Sequence, residues 1–155
     1  MRQRRISIDE TDRAILRKLQ SDSRIPLEKI AKELGIPKST VHYRTRKMER
    51  EEVIESYYAK VSAEKLGRDY TTITFARAKY GPDYHDKIGE ILAQIPGVIA
   101  VYFVFGEYDF MILTKSRNRE DFLQKLERMT NTKEIERTNT QVVGKTVKED
   151  QRIEI

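Results

Sequence analysis

The chain of 155 residues contains no cysteine and only two histidines, His42 and His85. Disulfides, thiolate nucleophiles and a thiolate zinc site are therefore excluded, and no metal centre is expected. Glycine and proline are scarce, at seven and four residues, and no long apolar run interrupts a composition of 38% hydrophobic and 35% charged residues. That combination excludes a collagen-like repeat and a helix long and apolar enough to span a bilayer. The N-terminus has no apolar stretch that could act as a signal peptide, so the expected location is cytoplasmic. At this length one domain or two small ones can form, each near the limit at which an apolar core alone suffices, and a partner subunit is expected.

The net charge of +5 is unevenly placed. Residues 1–60 carry 15 Lys and Arg against 10 Asp and Glu, whereas residues 61–155 carry 15 of each. A basic segment joined to a balanced one suggests a division of labour, with the first part as the nucleic-acid candidate.

The hydrophobic spacing agrees with such a division. Ile8-Asp9-Glu10-Thr11-Asp12 reads as a helix start, with Asp9 as cap and Ile15, Leu16 and Leu19 as the buried stripe. Pro26 opens a second helix in which Leu27, Ile30, Ala31 and Leu34 keep i, i+3, i+4, i+7 spacing, and Gly35 closes it. The turn Leu34-Gly35-Ile36-Pro37 is too short for a linker, so a third helix over residues 38–50 must pack on the second, the grammar of a helix-turn-helix. At about 100° per residue, Val41, Thr45 and Met48 face inward. Ser39, Tyr43, Arg46 and Arg50 point outward, flanked by Thr40, His42 and Lys47. Arg44 lies nearer the buried edge, where a phosphate or a neighbouring carboxylate could hold it.

Beyond this helix, Val53, Ile54 and residues 57–61 have strand character, and residues 62–69 form a polar connection. This places a domain boundary between 1–61 and 62–155. The second part reads strand (71–80), helix (83–95), strand (98–105), strand (110–115), helix (118–129), strand (about 138–147). Ile88, Ile91, Leu92 and Ile95 support the first of these helices; Phe122, Leu126 and Met129 support the second. The order βαββαβ predicts an α+β fold, a ferredoxin-like sandwich with both helices on one sheet face. The other face, carrying Ile99, Val101 and Phe103 or their alternates, would need covering by a second copy.

A helix-turn-helix followed by βαββαβ, with Gly106-Glu107-Tyr108-Asp109 in the central hairpin, resembles the Lrp/AsnC family over nearly the whole chain. The motifs that carry the likeness are Ile8-Asp9-Glu10-Thr11-Asp12, Leu19-Gln20-Ser21-Asp22-Ser23-Arg24, Lys38-Ser39-Thr40-Val41-His42-Tyr43-Arg44, the Gly-x-Tyr-Asp turn and Thr138-Asn139-Thr140. Three departures stand out: Glu52 where the family usually has glycine, Pro37 in place of a capping serine, and Lys133-Glu134-Ile135 for Pro-Gly-Val. The resemblance implies a leucine-responsive type of transcription regulator with an amino-acid-binding domain that assembles dimers into larger discs, an octamer among them. Scarce glycine, absent cysteine and abundant Lys, Arg and Glu lean towards an archaeal or thermophilic source.

The expected DNA-contacting residues are Lys38, Ser39, Thr40, His42, Tyr43, Arg44, Arg46, Lys47 and Arg50, on double-stranded DNA with a palindromic operator. Arg46 and Arg50 can reach guanine edges or phosphates. Neither histidine has a fixed Ser, Cys or Asp partner that would make it an acid or base. Spacing alone reads the turn at 106–109 as a hairpin. The resemblance instead implies an effector cleft lined by Phe103, Val104, Phe105, Gly106, Glu107, Tyr108 and Asp109, with Thr138, Asn139 and Thr140 donating neutral hydrogen bonds and Glu127 closing the site. Asp109 would pair with the ammonium of a small polar amino acid such as glutamine; no other cofactor is expected. An enzyme has little support, since no Walker loop, G-x-S-x-G or Gly-x-Gly-x-x-Gly is present, although tetrapyrrole-modifying proteins share a similar two-domain arrangement. An architectural DNA binder without an effector is the other rival.

Overall fold

A computed structural model of the chain describes residues 7–155 and divides into two compact units. One unit runs to Lys60 and takes in Glu149–Ile155; the other is Val61–Lys148. The expected domains were 1–61 and 62–155; the units differ from them at Val61, which falls in the second, and in the last seven residues, which lie with the first. Residues 1–6, assigned above to the first domain, fall outside the described ones.

The first unit holds helices α1 (Glu10–Ser21), α2 (Leu27–Leu34) and α3 (Lys38–Arg50). Asp9 caps α1 in a reciprocal box: its carboxylate accepts from the Asp12 amide at 2.8 Å, and Asp12 accepts from the Asp9 amide at 3.2 Å. Pro26 and Pro37 precede α2 and α3 without a side-chain cap, each setting an extended entry to its helix. Gly35 ends α2 with φ 65°. The inward residues are those the periodicity named: Ile15, Leu16, Leu19, Ile30, Ala31, Val41 and Met48 form one core.

At the end of α3, Val53 and Ile54 donate their amides to the Met48 carbonyl at 2.8 and 3.1 Å, and Glu52 sits at φ 56°. This closes the helix as a Schellman turn with glutamate at the left-handed position, at a cost of about 1 kcal/mol relative to glycine. Val53 and Ile54 are therefore not strand residues but lids on the helical core. Residues 57–61 are exposed and join no sheet, because their strand-like composition meets no neighbouring ladder within the unit.

The second unit contains β1 (Tyr70–Ala78), α4 (Tyr84–Ala93), β2 (Val98–Phe103), β3 (Phe110–Ser116), α5 (Arg119–Thr130) and β4 (Ile135–Val142). The strands lie in the order β2-β3-β1-β4, each neighbouring pair antiparallel, which is the expected split βαβ sandwich. A bulge after Arg77 shifts β1 against β4. The last strand starts three residues earlier than the sequence suggests and stops at Val142, with Lys133 at φ 60° turning the chain into it.

Alternation decides the faces. Ala76, Ala78, Phe110 and Ile112 pack with Ile88, Leu92, Ile95, Met129 and Ile135. Farther along the same face, Thr72, Thr74, Thr114 and Ser116 are wholly buried hydroxyls. Thr72 bonds Thr114, and Thr74 bonds Thr140 at 3.0 Å. Val101 and Phe103 also belong to this helix side, Val101 against the core and Phe103 edge-to-face with Phe110 at 5.6 Å. Their alternates make the open face: Ile73, Phe75, Tyr102, Met111 and Leu113. A bulge between Val98 and Ala100 takes Ile99 out of the register.

Asn118 caps α5, and Asp121 in its first turn accepts from Lys125 at 2.8 Å and from the Arg117 amide at 2.8 Å. These bonds hold the Asp121 carboxyl down at about 2 against an ordinary 3.8, the Lys125 bond contributing most. A depressed carboxylate contributes stability that is complete above the unfolded value and is lost as pH falls from about 4 towards 2. Acid unfolding followed by circular dichroism should show a loss in that window, and Asp121→Asn should flatten the loss there while lowering stability at pH 7.

Candidate nucleic-acid interface and effector turn

In the first unit α3 presents a polar face whose other side is locked in the core. Lys38, Ser39, His42, Tyr43, Arg46 and Arg50 are exposed, Tyr43 by 66%, while Thr40, Arg44 and Lys47 are half-buried. Three exposed cations of this helix carry acidic partners. Lys38 pairs with Glu28 of α2, Arg46 with Glu49 at 3.2 Å, and Arg50 with Glu51 at 3.9 Å. Such exposed pairs contribute little and exchange readily for a phosphate or base edge. Glu49 also accepts from Tyr57 at 3.1 Å; the partial burial of this otherwise exposed side chain first, then the carboxylate, push the Tyr57 phenol up to about 12.

Arg44 is different. Its Nη1 donates to Asp9 at 2.7 Å and to Asp12 at 2.9 Å, so the two capping-box carboxylates of α1 hold one guanidinium of α3. Of the two partners that sequence reading allowed, the carboxylate is the one realised. The guanidinium in turn keeps the Asp9 carboxyl below its ordinary range, after the larger effect of the Asp12 amide bond. Arg44 thus ties the middle of α3 to the start of α1.

The second unit distributes the expected effector residues over two sides of the sheet. Asp109 is buried, with one carboxylate oxygen accepting from the Ala78 amide at 2.8 Å and the other from the Tyr84 hydroxyl at 3.3 Å. Burial and the Asp109 charge together raise the Tyr84 phenol. Asp109 was expected to offer its carboxylate to an ammonium; in this fold its two oxygens accept from the bulged end of β1 and from the start of α4. The main chain of Asp109 is similarly engaged: its amide donates to Ala76 at 3.0 Å, and its carbonyl accepts from the half-buried Val104 at 2.8 Å. Gly106 has open space where a Cβ would be, so its φ of 153°, and not a close neighbour, requires glycine.

Phe103 contacts Tyr84, His85, Phe105 and Phe110 ring to ring, and Phe105 is 95% exposed. Thr138 and Thr140 lie opposite Ala76 and Thr74 on the helix side, and Asn139 opposite Phe75 on the open side. Successive strand residues alternate between faces, so Asn139 points away from its two threonine neighbours. Glu127 is exposed on α5. What the fold does bring together on the open side is Glu107, Tyr108 and Arg137. Arg137 donates to Glu107 at 2.6 Å and stands 5.2 Å over the Tyr108 ring, which itself packs on Phe75 at 5.8 Å. Sequence reading missed Arg137; its place two residues before Asn139 on one strand was the available signal.

A model of the AsnC-type helix-turn-helix domain matches residues 8–49, and one of the Lrp/AsnC ligand binding domain matches residues 72–153. The chain belongs to the Lrp/AsnC family. An uncharacterised HTH-type transcriptional regulator of Pyrococcus abyssi is 38% identical over 147 residues, 95% of this chain and 99% of the relative. Among solved structures, that of Escherichia coli AsnC superposes with a TM-score of 0.85 at 26% identity, covering 95% of this chain and 99% of the other. A feast or famine regulatory protein from Mycobacterium tuberculosis, complexed with L-methionine, gives 0.85 at 25% identity, with 95% and 99% covered. This Lrp/AsnC chain is accordingly a DNA-binding transcription regulator with a ligand-binding domain, and its relatives are regulators rather than enzymes. Among the described residues no helix is long and apolar enough to cross a membrane.

Removing the guanidinium of Arg44 leaves two carboxylates facing each other at the α1 cap. Arg44→Met should therefore destabilise the helical unit by about 1.5–3 kcal/mol, the range for hydrogen bonds to charged groups. A urea melt read on helical ellipticity checks this; an unchanged midpoint would show that the tie contributes nothing.

Proposed function

We propose that the chain is a dimeric, sequence-specific DNA binder that inserts α3 into the major groove and whose assembly or DNA affinity responds to an α-amino acid held by the second unit. One observation carries the DNA reading: α3 is fixed on its inner side by Val41, Thr45, Met48 and the Arg44 tie, while Ser39, His42, Tyr43, Arg46 and Arg50 remain outward. A rigid helix with an adaptable polar face suits groove reading. A two-fold dimer would require a palindromic operator with half-sites about one helical turn, or a multiple, apart. The open sheet face with Ile73, Phe75, Tyr102, Met111 and Leu113 supports self-association, and further stacking of dimers up to an octamer is the assembly we favour. A cytoplasmic location is part of this reading.

For the effector, an amino acid needs one anion and one cation for its two charged ends. Glu107 and Arg137 supply both beside Tyr108, and they replace Asp109 in this reading; a ligand would separate their ion pair and take one partner each. With both charges so used, a neutral side chain is favoured, glutamine among the polar candidates, and the methionine complex of the mycobacterial relative falls in the same neutral class. Only a difference in affinity between two assemblies lets such a ligand alter DNA binding.

Arg46→Ala should weaken operator binding by roughly 1–3 kcal/mol, with a loss that depends on sequence at one position per half-site. An equal loss on every duplex would point to the effector-independent architectural binder instead. Calorimetry with the twenty amino acids should find at least one ligand whose binding is abolished in Glu107→Gln and in Arg137→Gln. Unchanged binding in both variants would place the ligand elsewhere.

A further inference from the structure

The segment Glu149–Ile155 continues the chain beyond β4, yet it lies with the helical unit. The ligand-binding family match runs through most of it, to residue 153. Three anchors hold it there. Lys60 Nζ donates to the Glu149 carbonyl at 2.6 Å, Tyr58 Oη to Gln151 Oε1 at 2.7 Å, and Arg17 Nε of α1 to the Ile155 main-chain oxygen at 2.6 Å. Between them Asp150 clamps Arg152, accepting from its Nε at 3.0 Å and from its Nη2 at 2.8 Å. Ile155 packs on the helical core. The segment also forms one wall of a small cavity against Arg17, Gln20 and Ser21.

We propose that this segment is a clasp on the DNA-binding unit, a fourth element whose docking sets how firmly α1, and through Arg44 also α3, is ordered. A three-helix unit of this size buries too little surface to be firmly stable by itself, so one added apolar residue and three hydrogen bonds are a large fraction of its margin. The clasp is covalently continuous with β4 through residues 143–148, and Tyr58 and Lys60 on the incoming chain hold it as it arrives. The helical unit is thereby stapled to both of its chain connections. A docked and an undocked clasp give the unit two states of different order, a locally opening element of the kind that regulation can bias. This inference goes beyond the effector reading and does not depend on it.

Hydrogen exchange followed by mass spectrometry tests it on the full chain, on a chain ending at Lys148, and on Arg17→Gln and Ile155→Ser. The expected result is exchange at least tenfold faster in the peptides of α1 and α3 in all three variants, with β1 and β3 unchanged. Binding to a fluorescent 30-base-pair duplex of random sequence at low salt should fall in step. Unchanged exchange in α1 would overturn the proposal, as would equal loosening of helices and sheet in the point variants. Should truncation unfold the whole chain, Ile155→Ser with an intact sheet decides.

Discussion

Beyond its apolar core, the display of α3 by the first unit rests on one guanidinium between two carboxylates. Asp9 and Asp12 would complete the α1 cap without help, but two acidic groups so close repel each other unless a cation lies between them. Arg44 supplies that cation from α3. The start of the first helix and the middle of the third thus become one rigid object. The outward residues inherit its precision, and their weak pairs with Glu28, Glu49 and Glu51 keep them available without disturbing it.

The sequence made the helices legible because their signals are local: a capping box at Asp9, prolines 26 and 37, Gly35, and apolar spacing that survives into the observed core. It also yielded the strand order, since βαββαβ admits few topologies. What it could not yield were facts of register and bulge. Which of Val101 and Tyr102 faces the helices depends on the pairing of Val101 with Ile112 and on the irregularity before Ala100. Asp109 became a ligand candidate only through the family likeness, since spacing alone read its turn as a hairpin. Its burial follows from the bulge at Arg77, which leaves the Ala78 amide in need of an acceptor. Arg137 was missed for the complementary reason: its partner lies 30 residues away in the chain.

The second unit keeps its two faces chemically distinct. The helix side takes aromatic contacts around Phe103, and the open side combines aliphatic and aromatic residues with the Glu107–Arg137 pair at its rim. A surface of that composition can join a partner and a small ligand at once, because the charged rim remains wet while the centre is covered.

The buried threonine and serine hydroxyls beneath the helices change how this unit responds to temperature. Hydrocarbon exposure raises the heat capacity of unfolding and polar exposure lowers it. A layer in which Thr72, Thr74, Thr114 and Ser116 occupy places that aliphatic side chains could fill therefore has a smaller heat-capacity increment than a wholly apolar one. Its stability curve is correspondingly broader and flatter, with less lost on either side of the maximum.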